Sequence, residues 1–275
     1  MAPSSMRTSF MRRVSVTSAN AGLEWQARLG WLLVSLLGFL VFWEVAARIA
    51  QDVFAYRYLP GPSTVAEVML REMRTGDLLW HIGITLRRVA ITFVVSMLIG
   101  IAIGIALGRY KWADQFFDGW LIFFLNLPAL VIICLCYVWF GREEMAAIIA
   151  VSINKIPNVA VMVREGARGL SRDLAEMADI YKFGWWKTLR HVTLPQLAPF
   201  FMAAARTGLS LVWKIVLVVE LLGRSNGVGF QLGVFFQTFD VAAMLAYSIA
   251  FIIVVQLIET LVLQPISVRI NKWRR

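Results

Sequence analysis

Residues 84–108 read ITLRRVAITFVVSMLIGIAIGIALG. A bilayer's hydrocarbon core is crossed by about 20 consecutive, mostly apolar helical residues. This stretch supplies them, and its only charges, Arg87 and Arg88, stand near one end. Five further stretches qualify, at 29–50, 118–140, 144–163, 199–222 and 241–264. Of the 275 residues, 59% are hydrophobic and 16% are charged. Soluble domains hold about 45–50% apolar and about 25% charged residues. A net charge of +10 would suggest nucleic acid in a soluble chain, but apolar runs of this length exclude that class. The fold class is an all-α membrane protein with six transmembrane helices.

The basic residues then act as topological labels. Cytoplasmic loops carry an excess of Lys and Arg. With the N-terminus inside, sixteen of the 27 basic residues fall on the cytoplasmic side. Only Arg57, Arg71, Arg74, Arg142 and Arg224 fall on the other. The chain therefore divides into a cytoplasmic tail (1–28), a first span (29–50), a periplasmic loop (51–83), a core (84–264) and a basic cytoplasmic tail (265–275). The first span is too long for a signal-peptide core and carries Glu44 and Arg48, so it reads as an uncleaved membrane helix. Within the periplasmic loop, PSTVAEVMLREMRTG has a start signal at Ser63 or Thr64 and an apolar stripe at Val65, Val68 and Met69. That pattern predicts a short amphipathic surface helix.

Polar features inside the spans are the next guide. Gly100, Gly104 and Gly108 line one helix face and permit close backbone approach, within one subunit or across a dimer. Pro157, flanked by Asn154, Lys155 and Asn158, predicts a kink or a local break in the fourth span. Ionisable groups at membrane depth are functional candidates, and the alternative is interhelical pairing or snorkelling. They are Glu44, Lys155, Arg206, Lys214, Glu220 and Glu259, with Arg87 and Arg88 placed to snorkel. Asn126, Lys155, Lys214 and Glu220 are candidates for a solute pathway, in which the two lysines would attract an anion. His81 and His191 are far apart, and Cys134 and Cys136 point to different faces of a helix. The sequence thus offers no metal site and no catalytic residues.

The longest internal cytoplasmic loop, 164–198, holds the most specific signal. Ser171 can cap a helix whose apolar positions are Leu174, Met177, Ala178 and Tyr181. Gly184 interrupts the pattern, and a second helical stretch, Trp185 to Val192, ends before Pro195. By itself this is a helix–turn–helix at the membrane surface, with Trp185 and Trp186 suited to the interface. Residues 176–195, EMADIYKFGWWKTLRHVTLP, resemble the EAA motif of binding-protein-dependent ABC importer permeases. Glu176, Ala178, Leu194 and Pro195 match in register. Met177 replaces an Ala, and Lys182 stands where that family usually has Gly, with Gly184 two residues later as the substitute turn. LPGPSTV (59–65), TGDLLWHIGITLRRVAITF (75–93), LPALVIICLCYVWFG (127–141) and GLSLVWKIVLVVELLGRSNGVGF (208–230) are similar to the nitrate, sulfonate and taurine branch.

The resemblance implies a type I ABC importer permease in the bacterial inner membrane, multi-pass, with both termini in the cytoplasm. Glu176, Met177, Ala178, Lys182, Gly184, Leu194 and Pro195 would form the coupling segment that docks on an ATPase. Implied partners are membrane lipid, two ATPase subunits, a second permease copy in a homodimer and a periplasmic substrate-binding protein, with no nucleic acid. ATP and Mg would reside on the ATPase and no cofactor on this chain. In agreement, the dipeptide Gly-Lys of a phosphate loop never occurs. The chain would not be an enzyme. The resemblance leaves nitrate, taurine, aliphatic sulfonates, bicarbonate and heterocyclic vitamin precursors open as solutes, and the basic residues within the spans favour a small anion. The competing class is a stand-alone secondary transporter or channel. The 223–240 loop, rich in Gly and aromatics, would line the mouth facing the binding protein or form a plain surface or re-entrant helix.

Overall fold

A computed structural model describes residues 30–31, 33–52 and 59–266. The expected tail at 1–28, and all of the C-terminal tail beyond residue 266, lie outside these residues. The chain divides into two compact units, Met1–Glu67 and Val68–Arg275.

The first unit holds helix α1 (Leu33–Asp52) and the start of α2 (Pro62–Thr75). Helix α2 begins at Pro62, one residue before the predicted start, because the proline ring presets a helical φ and the first turn needs no N–H there. Glu44 of α1 is neutralised locally. Arg48 Nε lies 2.9 Å from its carboxylate, and Ser63 donates from its Oγ at 3.1 Å and its backbone N at 3.3 Å. This ties the two helices at Gly61, where an added Cβ would fall 2.6 Å from Glu44 Oε2.

Every element of the second unit is helical. They are α3 (Asp77–Arg109), α4 (Lys111–Asn126), α5 (Ala129–Phe140), α6 (Glu144–Arg168), α7 (Arg172–Ile180), α8 (Trp185–Thr188), α9 (Leu194–Gly223), α10 (Val228–Thr238) and α11 (Val241–Ile258). Among the described residues five helices are long and apolar enough to cross a membrane, or six if the bent pair α4–α5 counts as one span.

Helix α6 sits at the centre and packs on α3, α4, α5 and α9. Lipid tails are as apolar as Leu, so association inside a bilayer depends on close packing rather than on expelling water. The glycine stripe provides it. A Cβ on Gly100 would fall 2.6 Å from Val159 Cβ, one on Gly104 2.7 Å from the Ala160 carbonyl, and one on Gly108 2.4 Å from Ala167 Cβ. The stripe is therefore an intrasubunit seam between two parallel helices. Leu78, Val89, Ile133, Val151, Val212, Val216 and Tyr247 belong to the largest buried apolar cluster.

Two expectations require correction, and a third is narrowed. The single third span at 118–140 is instead two helices meeting at 94°. Pro128 lacks an N–H and pushes Leu127 into extended backbone (φ −68°, ψ 127°), which ends α4. Pro157 does not end α6, which stays helical from Glu144 through Arg168, and its missing N–H removes only its own rung of the ladder. Nor does the surface stretch at Trp185 stop before Pro195, since helix runs unbroken over Trp185–Gly223. Residues Leu189–Thr193 form one π turn, in which the Leu194 N–H reaches back five residues to the Leu189 carbonyl. A wider turn relieves the clash of a proline ring with the carbonyl one turn behind it. The same device recurs at Glu259–Leu263, two residues before Pro265, and the last span continues to Ile266.

Candidate functional site

Two sets of residues were expected to carry function, and the fold keeps them apart. The first is the segment joining α6 to α9. Ser171 caps α7, its Oγ accepting from the Leu174 N–H at 3.4 Å. Gln196 of α9 accepts from the Ser171 N–H at 3.1 Å, which pins the start of α7 to the root of the long helix. Nothing in the sequence pattern marked Gln196. Its only signal is its position beside Pro195.

Helix α7 ends in a Schellman motif. The Phe183 N–H bonds the Ala178 carbonyl at 2.8 Å, and the Lys182 N–H bonds the Asp179 carbonyl at 3.0 Å. The motif needs a left-handed residue at its fifth position, usually Gly. Lys182 fills it at φ 50°. Gly184 does not supply the turn, because its backbone is extended at φ −66°, ψ 161°. Ala178 is fully buried under the turn, Met177 is half-buried, and Glu176, Lys182, Gly184 and Pro195 are exposed. Leu194 is half-buried at the root of α9. Around the turn Ile180 (78% exposed), Tyr181, Trp185 (69% exposed) and Trp186 present a continuous apolar face, flanked by the exposed carboxylates of Glu176 and Asp179.

The second set is the polar residues within the spans. Glu220, fully buried, is committed to structure. Its Oε1 accepts from Arg88 Nη1 at 2.7 Å, and its Oε2 accepts from Thr85 Oγ1 and the Gly229 N–H, both at 2.9 Å. Arg88 (2% exposed) also grips Glu144 with both ends of its fork, at 2.8 and 2.9 Å, and the Asn226 carbonyl at 2.8 Å. Arg88 thus turns inward and does not snorkel, whereas the neighbouring Arg87 side chain is exposed. His81 accepts from the Gly227 N–H at 2.9 Å, and Gly227 needs its φ of 108° to turn the chain against Glu220. This lattice holds the 223–240 loop as a packed helix, α10, folded back on α9. A Cβ on Gly229 would fall 2.2 Å from the Leu217 carbonyl.

Asn126 ends α4 and is exposed. Its Nδ2 donates to the Ile122 carbonyl at 2.7 Å. Lys155 and Lys214 are not brought together. Lys155 (1% exposed) lies midway along α6, pressed against Gly208 of α9, where an added Cβ would stand 2.6 Å from Nζ. Lys214 is exposed in a cavity of about 260 Å³ between α9 and α11, with Arg206, Ser210, Trp213, Gln256 and Glu259. Arg206, Ser210 and Lys214 recur every four residues and form one polar stripe on α9. Among the described residues no group of His, Cys, Asp and Glu is placed to hold a metal.

Comparison with known proteins agrees with this architecture. The family described as "binding-protein-dependent transport system inner membrane component" matches residues 96–264, more than half of the chain. The chain is 28% identical over 249 residues to a putative aliphatic sulfonates transport permease protein, SsuC, of Bacillus subtilis (strain 168), covering 90% of this chain and 89% of that one. The bicarbonate transport system permease protein CmpB of Synechococcus elongatus is 27% identical, covering 78% and 81%. The taurine transport system permease protein TauC of Escherichia coli (strain K12) is 25% identical, covering 85% of each. A solved chain of the inward-facing MetNI methionine ABC transporter superposes with a TM-score of 0.60 at 18% identity, covering 71% of this chain and 98% of that one. That likeness shows a shared fold.

Proposed function

The chain belongs to the binding-protein-dependent transport system inner membrane component family, as an ABC importer permease, and from that premise we propose that it moves a small anion into the cytoplasm. The permease is a transport subunit and not itself an enzyme; its family works with a separate ATPase and a substrate-binding protein. A stand-alone transporter has no comparable support.

The observation that carries the coupling reading is mechanical. The exposed turn at 180–186 leads into one uninterrupted helix, Trp185–Gly223. Displacement of the docked turn by an ATPase pair therefore reaches the membrane interior along a rigid rod. Glu176 and the apolar face of Ile180, Tyr181, Trp185 and Trp186 form the contact surface, of the helix-in-groove kind. Buried Ala178 lets the α7 backbone seat closely, Met177 supports it from beneath, and Lys182 sets the turn. Gly184 starts α8, and Leu194 and Pro195 join it to the rod. ATP and Mg bind the ATPase, and this chain holds no cofactor.

The anionic class rests on the cationic groups of α6 and α9 and on relatives named for sulfonates, bicarbonate and taurine. Two copies of the chain, each offering the Arg206–Ser210–Lys214 stripe, would enclose a basic pathway between them. The distribution of basic residues puts both termini in the cytoplasm of a bacterial inner membrane, with lipid around the spans. The test is uptake of radiolabelled methanesulfonate, nitrate and bicarbonate by vesicles holding the whole complex with ATP inside. Uptake should require ATP. Glu176→Lys should lower it by about tenfold or more, because reversing a charge at a docked surface costs over 1.4 kcal/mol, while ATP hydrolysis continues. Unchanged uptake in that variant would count against the docking surface.

A further inference from the structure

Between α3, α6 and α9 lies a level of polar groups that no ion pair uses. Lys155 Nζ, Thr92 Oγ1, Ser96 Oγ, Ser152 Oγ and Asn154 Nδ2 are all buried, and among the described residues none has a hydrogen-bond partner. Register places four of them together, Lys155, Ser152, Ser96 and Thr92. Helices α3 and α6 run parallel, with Gly100 against Val159 and Gly104 against Val163. One turn back along both helices, Ser96 stands level with Lys155. A further turn back, Thr92 stands level with Ser152. Gly208 of α9 closes the third side, and any side chain there would collide with Lys155 Cε at 2.4 Å.

Such groups rarely go unsatisfied. More than about 90% of buried polar atoms have a partner, and an unpaired buried charge is still more costly. The carboxylates within reach of the core are otherwise engaged, Glu220 and Glu144 by Arg88 and Glu259 facing Arg206. What remains has one chemical character. The ammonium and the three hydroxyls of this level can all donate, and the ammonium can only donate. The complement is a ligand that only accepts, namely an anion. Gly208 leaves the lysine end little room, so the anion is small.

We propose that Lys155, Ser96, Thr92 and Ser152 form an enclosed site within one subunit for the charged group of the imported solute, a small monovalent oxyanion. This deepens the anion-import reading and rests on it. The site differs from the open basic stripe at Lys214, since the stripe would collect anions and the enclosed level would hold one at a time.

Thermal unfolding of the purified permease–ATPase complex tests the site, with methanesulfonate, nitrate, bicarbonate and chloride as probes. At least one oxyanion should raise the melting temperature saturably. Lys155→Met should weaken that response at least tenfold, and Ser96→Ala, which removes one hydroxyl without disturbing the seam, severalfold. Gly208→Ala, which keeps the charge but displaces it, should resemble Lys155→Met. Undiminished oxyanion binding in Lys155→Met and Ser96→Ala would overturn the site, as would stabilisation by chloride alone. Uptake by the whole complex in vesicles, with its substrate-binding protein supplied, separates the two readings. If the unmodified complex imports none of the oxyanions, the anion-import reading itself falls. If it imports one and Lys155→Met and Ser96→Ala import it equally well, only this site falls.

Discussion

Lys182 adopts a left-handed backbone at φ 50° that an L side chain disfavours by roughly 1–2 kcal/mol. Glycine would remove the clash and return part of the gain as unfolded-state entropy. Lys182→Gly is therefore expected to stabilise the permease by up to about 1 kcal/mol, read as a rise of about 2–4 °C in melting temperature with coupling intact. A fall would show that the lysine side chain makes a contact worth more than the strain. Arg88 is the opposite case, a charge whose partners are all inside. Arg88→Met leaves Glu220 buried and unpaired and should cost about 3–5 kcal/mol, seen as loss of folded protein in detergent. The double variant Arg88→Met/Glu220→Met should be more stable than Arg88→Met alone, since a buried pair can be exchanged for apolar groups at little cost. The sequence displayed the charges of Arg88 and Glu220 but not their pairing, because 132 residues separate them along the chain.

At the scale of elements, prolines and glycines set the architecture. Pro128 ends a helix, whereas Pro157, Pro195 and Pro265 do not, and two of these three are preceded by a π turn. Proline's local rule is the same in each case. Neighbouring helices and local π adjustments that satisfy the freed backbone groups let a membrane helix continue past the ring. Contiguous apolar length therefore located the spans, and it missed the 94° break and the continuity through Pro195. The glycines divide just as clearly. Gly104→Val places its branches against the Ala160 carbonyl, a backbone atom that cannot rotate away, and should destabilise the seam by about 1–3 kcal/mol. Gly184 has open space around it and a φ of −66°, which proline shares, so Gly184→Pro should leave both folding and coupled uptake close to normal. Parallel melting curves and uptake assays of these two variants check both statements. The expectation that Gly184 makes the turn would require the reverse.

For the whole molecule, the decisive property is the separation of an exposed apolar turn from a basic stripe along one long helix. The coupling turn sits at its start, and the Arg206–Ser210–Lys214 stripe and Gly208 lie further along. Neutralising the stripe with Arg206→Gln/Lys214→Gln should lower anion uptake severalfold at low ionic strength and less at high salt, because an exposed cationic stripe concentrates anions through a field that salt screens. Salt-independent uptake in that variant and in the parent would remove the stripe from the pathway. The number of ATP molecules hydrolysed per anion imported should rise in Glu176→Lys and not in the stripe variant, which separates coupling from conduction in one pair of assays.

The sequence by itself determined the membrane class, the position of the apolar stretches and the family. Each depends on composition, on contiguous apolar length or on an ordered local motif, and none needs a distant contact. Only the tertiary structure decided which charges are neutralised and which are left over. Glu220 and Lys155 look alike in sequence, each an ionisable residue in an apolar run. One is locked by Arg88, Thr85 and the Gly229 N–H, and the other packs over Gly208 with no hydrogen-bond partner among the described residues. At membrane depth the energy of a charge is set by the few groups within hydrogen-bonding distance, and helix packing brings those groups from far along the chain.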